Sequence, residues 1–177
     1  MEERIVKADP AADPQGYQRE LLALLGGRDC LEVLSGTPAR FAELTGGLGE
    51  ELLRRRPEPR EWSVTELLGH LVDSEVAYAF RARAILSQPT PALAAYDQDA
   101  WATLPRPPLA ELLPAFTWLR RMNLVLARET PDAAWERSGI HSERGQLSFR
   151  VLTETTAGHD LAHLRQLEQT IAAVRDR

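Results

Sequence analysis

The stretch Glu61-Trp62-Ser63-Val64-Thr65-Glu66-Leu67-Leu68-Gly69-His70-Leu71-Val72-Asp73-Ser74-Glu75 decides how the chain is read. Ser63 and Glu66 have the spacing of a capping box. The hydroxyl accepts from the backbone N–H three residues on, and the carboxylate reaches back to the cap's own N–H. Both would otherwise be unsatisfied donors at a helix start. Leu67, Leu71, Ala77 and Phe80 then support a helix to about Ser87, which Pro89 and Pro91 end. Trp62 stands where a hydrophobic staple is expected.

Upstream, Tyr17 to Leu25 is apolar at helical spacing and stops at Gly26-Gly27. Asp29 to about Leu48 reads as an interrupted helix, because Thr37-Pro38 looks like an N-cap followed by Pro at the first helical position. Arg54-Arg55-Arg56-Pro57 leads into a Pro-rich linker, and the arginines read as solvated surface. Downstream, Thr90 to Pro108 is a long Pro-rich loop, a length that often marks function or a lid. Leu109 to about Glu129 is a further helix, with Pro114 in or near its first turns. Pro131 to Leu147 reads as irregular. Ser148 caps a last helix from Phe149 to about Val174, whose apolar surface includes Leu152, Leu161, Leu164, Leu167 and Ile171. Alternating strand patterns are nearly absent. Four substantial helices with long connections predict an all-α four-helix bundle with crossovers. One domain over residues 1–177 is expected, with residues 1–14 extended.

Composition narrows the function classes. Hydrophobic residues are 44% and charged residues 27%, as in ordinary globular domains. The net charge of −5 argues against a nucleic-acid partner. Cys30 is the only cysteine, which excludes an intrachain disulfide framework and a multi-cysteine zinc site, and an inert buried thiol is expected there. No basic start leads into an apolar run, and no apolar stretch could cross a bilayer. The expectation is a soluble cytoplasmic protein without a membrane partner. There is no Gly-rich phosphate loop and no nucleophile elbow.

The candidate chemistry lies in the histidines. His159 and His163 are four apart on the last helix, so they lie about 40° apart around its axis, one turn above the other. Two imidazoles so placed can share one metal ion. His70, on another helix, could supply a third nitrogen from across the bundle. Three neutral imidazoles leave a zinc-like ion an open position for water or substrate. Imidazole also suits nickel, iron or copper. Hydrogen-bonded core histidines are the alternative, and spacing alone leaves it open. Asp73, three beyond His70, could orient an imidazole or act as a base; otherwise it is a helix-surface carboxylate. Asp160 is turned about 100° from its neighbour His159 and is not expected to be a ligand. Gln166 continues the histidine stripe as a core polar residue or a pocket donor. His141 falls in the irregular segment and reads as exposed. Trp62, Trp101, Trp118 and Trp135 read as core or pocket wall.

Two motifs carry a resemblance. The 61–75 stretch and Gly158-His159-Asp160-Leu161-Ala162-His163-Leu164-Arg165-Gln166-Leu167 resemble the two signatures of the DinB-like (DinB/YfiT-like) superfamily. Tyr96-Asp97-Gln98-Asp99-Ala100-Trp101 resembles the loop after helix two in one branch of it. The resemblance covers most of the chain. It implies an up-down-down-up bundle, a homodimer, and a divalent metal, zinc or nickel foremost, on His70, His159 and His163. Characterised members include thiol-dependent enzymes, maleylpyruvate isomerase with mycothiol and bacillithiol S-transferases. Others carry only a metal-dependent hydrolase label. The implied function is metal-dependent activation of a low-molecular-weight thiol for S-transfer to a small electrophile held under the Tyr96–Trp101 loop. Tyr96, Trp101 and Gln166 are the expected cofactor-binding residues, and Asp73 the expected catalytic one. A water-activating hydrolase and a non-catalytic metal- or ligand-binding stress protein are the alternatives.

Overall fold

The computed structural model describes residues 6–175. In chain order the elements are α1 (Pro14–Leu25), α2 (Cys30–Thr45), α3 (Glu50–Arg54), α4 (Val64–Ser87), β1 (Ala92–Leu93), α5 (Gln98–Ala102), α6 (Leu109–Glu129), β2 (Ser138–His141), β3 (Gly145–Ser148) and α7 (Phe149–Arg175). A 3-10 turn, Asp132–Glu136, precedes β2. The bundle consists of α2, α4, α6 and α7.

Side-chain packing gives the helix directions. The start of α4 (Leu67, Leu68, Leu71) meets the start of α6 (Leu109, Leu112, Phe116) and the end of α7 (Leu167, Ile171), in a core that Phe41 of α2 joins. The end of α4 (Tyr78, Ala82, Ile85) meets Ala127 of α6 and Phe149 and Leu152 of α7. Leu34 near the start of α2 meets Leu124 of α6 and Ala157 of α7. Hence α4 and α6 are parallel to each other, α2 and α7 are parallel to each other, and the two pairs run oppositely. This is the up-down-down-up order. A parallel return along the 24 residues of α4 must travel back about 36 Å, which explains the long connection from Gln88 to Pro108.

The capping box at Ser63 forms in full, with the Glu66 carboxylate accepting from the Ser63 N–H at 2.8 Å. The α6 boundaries match the sequence reading. Three local expectations are corrected. Pro38 does not interrupt α2, which runs through it. Proline lacks the N–H that would bond the carbonyl four residues back, and that carbonyl, on Leu34, instead accepts from Arg120 Nη1 at 2.9 Å. The 131–147 segment contains strands: β2 pairs antiparallel with β3 and parallel with β1. They are too short for alternation to reveal them. Finally, Trp118 is 61% exposed rather than packed in the core or on a pocket wall, and Phe80 of α4 is also exposed. Of the N-terminal segment, residues 1–5 lie outside the described residues, and Asp9 to Asp13 form a turn closed at 2.8 Å.

A buried polar network locks the four long helices together. Arg120 on α6 bonds Asp160 on α7 (2.5 and 3.1 Å), Glu75 on α4 (2.8 Å) and the Leu34 carbonyl on α2. Asn123 adds a bond to Glu75 at 2.9 Å. Burial opposes the Arg120 charge, but Asp160 and Glu75 outweigh it and hold the group firmly protonated. Helix α1 lies across α7 at Gly158, where a Cβ would come within 2.0 Å of the Leu21 carbonyl oxygen. Glycine is therefore required immediately before His159.

Candidate metal centre

Helix periodicity puts His159 and His163 on one face of α7, and that face turns towards α4 where His70 projects. His159 Nε2 lies 3.0 Å from His70 Nε2 and 3.0 Å from His163 Nε2. One nitrogen of each ring lies within 4.8 Å of the others, and among the described residues this is the group of three that could hold a metal. Zinc–imidazole bonds of about 2.0–2.1 Å in a tetrahedral site would separate such nitrogens by roughly 3.4 Å, so the cluster is close to the required size.

The donor set fits a cation. His163 Nδ1 is 2.9 Å from Gln166 Oε1, an acceptor, so Nδ1 carries the proton and Nε2 presents a lone pair to the cluster. A ring nitrogen holds either one proton or one lone pair, so His159 Nε2 cannot share protons fully with both neighbours. A cation that accepts all three lone pairs removes the conflict. Burial, then the charges of His163 and Arg106, hold His70 well below the ordinary imidazole range. Burial, then His163 and His70, do the same to His159. Burial lowers His163 to about 4, against Gln166 and Asp160, which act to raise it. All three rings are therefore neutral at pH 7, the form that binds metal. Trp62 packs its ring on His70 at 4.8 Å between centroids.

His159 opens onto a cavity of about 690 Å³. Its walls come from α1 (Tyr17, Leu21), α4 (Ser74, Ala77, Tyr78, Arg81), the 95–99 segment, the β2–β3 turn (His141, Glu143, Arg144) and α7 (Leu152, Thr155, Thr156, His159). This size and enclosure suit a small organic ligand. A second cavity of about 540 Å³, rich in arginine, contains none of the imidazoles.

The DinB superfamily model matches residues 34–167. The chain belongs to the DinB superfamily. It is 23% identical over 149 residues to YfiT of Bacillus subtilis, covering 78% of this chain and 82% of that one, and 22% identical over 131 residues to a protein of Oceanobacillus iheyensis, covering 73% and 76%. A Bacillus pumilus relative is 25% identical over 144 residues, covering 80% and 82%. All three carry the name "Putative metal-dependent hydrolase". The solved structure of Bacillus subtilis YfiT superposes with a TM-score of 0.72 at 21% identity, over 81% of this chain and 86% of that one. Its title describes "a probable metal-dependent hydrolase with an unusual four-helix bundle topology". That likeness establishes the fold.

In this member of the superfamily, the expected site residues divide. His70, His159 and His163 converge. Gln166 binds His163 Nδ1 and orients that ring rather than reaching into the cavity. Asp73 meets no imidazole: both its oxygens face Arg106, at 2.5 and 3.3 Å. Arg106 also bonds the Trp101 carbonyl at 3.0 Å and lies where a Cβ on Gly69 would sit. Asp73 therefore straps the α4–α6 crossover to α4 beside His70. Tyr96 lines the cavity and bonds Ser74 Oγ at 3.2 Å. Trp101 packs on Tyr96 at 4.6 Å and is not part of the cavity lining.

His141, expected to be exposed, is 2% exposed and faces the cavity. Its Nδ1 accepts from the backbone N–H of Glu143 and Arg144 across the turn, which buries the ring. Sequence reading also missed Tyr17, Arg81 and Arg144 as cavity residues. An arginine on an α4 face otherwise lined with buried side chains was the available signal for Arg81; Tyr17 and Arg144 had none. Cys30 is half-buried, and burial raises its thiol pKa, consistent with an unreactive thiol.

Proposed function

We propose that this chain is a metal-dependent enzyme that activates a low-molecular-weight thiol for transfer to a small electrophile. The observation that carries the reading is the convergence of three neutral imidazole nitrogens, one of which, on His159, borders a large cavity. His70, His159 and His163 would hold a divalent metal, zinc or nickel foremost. When bound, it would supply Lewis acidity that favours a thiolate over a thiol.

The chain's own residues supply the surroundings. Gln166 fixes the tautomer of His163. Burial pushes the Tyr17 hydroxyl up to about 12 and raises that of Tyr96, so both stay protonated and serve the ligand as donors or orienting groups. Asp73, engaged by Arg106, holds the crossover over the site and leaves the proton-accepting role unfilled by its carboxylate. The cavity volume of about 690 Å³ exceeds what a water nucleophile requires and has room for two reactants.

The names of the relatives favour a second reading, hydrolysis with water as the nucleophile. Among the described residues, no helix is long and apolar enough to cross a membrane. We propose a cytoplasmic homodimer acting on a small molecule. Val76 and Phe80 on α4, and Trp118, Met122 and Val125 on α6, are exposed at helical spacing and favour pairing with a second copy.

Metal content of tag-free protein, measured by mass spectrometry beside His163→Ala, tests the centre. About one equivalent, lost in the variant, is expected. Turnover of a model electrophile that requires added thiol would support transfer, and thiol-independent ester cleavage would replace it with hydrolysis. No metal in either protein after loading with zinc and nickel would move the reading to a non-catalytic role.

A further inference from the structure

Arg81 and Arg120 are the two arginines buried among the described residues, at 8% and 3% exposure. Their surroundings are opposite. Arg120 has two carboxylates. Arg81 has none: its Nε and one Nη reach a single backbone carbonyl, that of Ala94, at 3.3 and 2.7 Å. A buried guanidinium normally has an anionic partner, because transfer from water without one is costly.

Arg81 is not alone. Arg144, at the tip of the β2–β3 hairpin, lines the same cavity. Its Nε is buried and has no hydrogen-bond partner. Burial is the main influence lowering the pKa of both arginines. His141 lies beside them. Its Nδ1 accepts two backbone N–H groups, so the proton of the neutral ring is on Nε2, and that buried donor also has no partner. Thr155 Oγ1, on the same wall, is a further buried polar atom without one. The hairpin and α7 thus present unpartnered polar atoms to one cavity, and α4 adds a buried guanidinium with no carboxylate partner. The wall does hold carboxylates, Asp9, Asp97, Asp99 and Glu143. No ion pair joins either arginine to a carboxylate among the described residues. In the other cavity Arg54, Arg56 and Arg106 pair with Glu50, Glu66 and Asp73, and the fourth arginine, Arg60, is exposed to solvent rather than buried.

We propose that the cleft ligand carries a carboxylate, bound by Arg81 and Arg144 with the His141 Nε2–H as a third donor. This inference rests on reading the cleft as the ligand site of the proposed enzyme and adds the chemical class of what it takes. A carboxylate suits a planar guanidinium that offers paired donors. A phosphate dianion suits the site less well, because Asp97, Asp99 and Glu143 share the wall. His159 borders the same cavity, so one small molecule could present its carboxylate to the arginines and its reactive end to the metal centre.

The test uses the full-length zinc-loaded protein and matched probes: 3-mercaptopropionate, 3-mercaptopropan-1-ol, propionate and inorganic phosphate. Affinities are measured by calorimetry and thermal shift. 3-Mercaptopropionate is expected to bind at least tenfold tighter than the neutral thiol. Arg144→Met should bring that ratio close to one and leave the affinity for the neutral thiol unchanged. Arg144 donates no side-chain hydrogen bond among the described residues, so its variant should keep or raise the melting temperature. A merely structural arginine would lower it and spare the carboxylate preference. Arg81→Met, which also frees the Ala94 carbonyl, is the second variant and should act in the same direction.

Equal affinity for the two thiols in the wild type would overturn the proposal. So would a preference that survives both substitutions, or phosphate binding more tightly than propionate. Arginine-dependent binding of propionate without binding of the neutral thiol would uphold the carboxylate site and sink the thiol reading instead. The two failures are therefore distinguishable.

Discussion

Replacing Arg120 with Met removes the one cation that ties α2, α4, α6 and α7 together. Methionine matches much of the side-chain length but offers no donor. Asp160 loses bonds at 2.5 and 3.1 Å, Glu75 loses one at 2.8 Å, and the Leu34 carbonyl loses one at 2.9 Å. That carbonyl has no substitute, because residue 38 is proline. Both carboxylates are 1% exposed, and of the two only Glu75 keeps a side-chain partner, Asn123. Removing one member of a buried ion pair typically costs about 3–5 kcal/mol, because the remaining charge is stranded. For a chain of this size, 1 kcal/mol corresponds to roughly 2–4 °C. The expected fall in melting temperature is therefore roughly 6–20 °C. Urea unfolding followed by circular dichroism gives the free energy. The triple variant R120M/E75Q/D160N neutralises the stranded charges and should regain at least half of the loss. An R120M protein within about 1 kcal/mol of the wild type would refute the reasoning, as would a triple variant no more stable than R120M. The loss should also weaken metal binding, since Asp160 and His159 are adjacent on α7.

Gln166→Leu removes the acceptor of His163 Nδ1 and should weaken metal affinity about 10–100-fold in a chelator competition, with the fold unchanged; unaltered affinity would count against the orienting role. Gly158→Val places side-chain atoms where the Leu21 carbonyl lies and should detach α1, seen as rapid proteolysis between residues 14 and 29 and an enlarged cleft; a wild-type digestion pattern would contradict the close approach. The metal-free protein should lose stability as pH falls from about 6.5 towards about 4. In that window the unfolded chain takes up protons that the buried, pKa-depressed imidazoles refuse, at up to about 1.4 kcal/mol per pH unit for each ring. A melting temperature that is flat from pH 7 to 5 would be inconsistent with neutral buried histidines. Phe80→Asp combined with Trp118→Asp should convert a dimer to a monomer in light scattering without lowering the melting temperature of the protomer; an unchanged mass would remove this face as the interface.

The bundle was legible because its determinants are local. Ser63 and Glu66 cap α4 through atoms three residues apart, and the apolar stripes of α4, α6 and α7 repeat at the helical period. The candidate metal centre was half legible for the same reason: His159 and His163 share a face by helix geometry alone. The resemblance of two motifs pointed to the third candidate ligand, His70, which spacing could only nominate. Sequence reading failed where a distant group answers a local defect. Pro38 looked like a break, yet the acceptor it strands is satisfied by Arg120, on another helix. Asp73 looked like a free carboxylate until the crossover brought Arg106 to it.

The sequence by itself determined helices, caps and the paired imidazoles, since these depend on neighbours within a turn or two. Tertiary structure alone decided the character of the cleft. Arg81, His141 and Arg144 come from different elements and have no shared spacing to read. Only the docking of the short β-hairpin against α4 and α7 buries them together. Burial, which no residue possesses before the chain folds, makes the unpartnered donors of His141 and Arg144 and the carboxylate-free guanidinium of Arg81 significant.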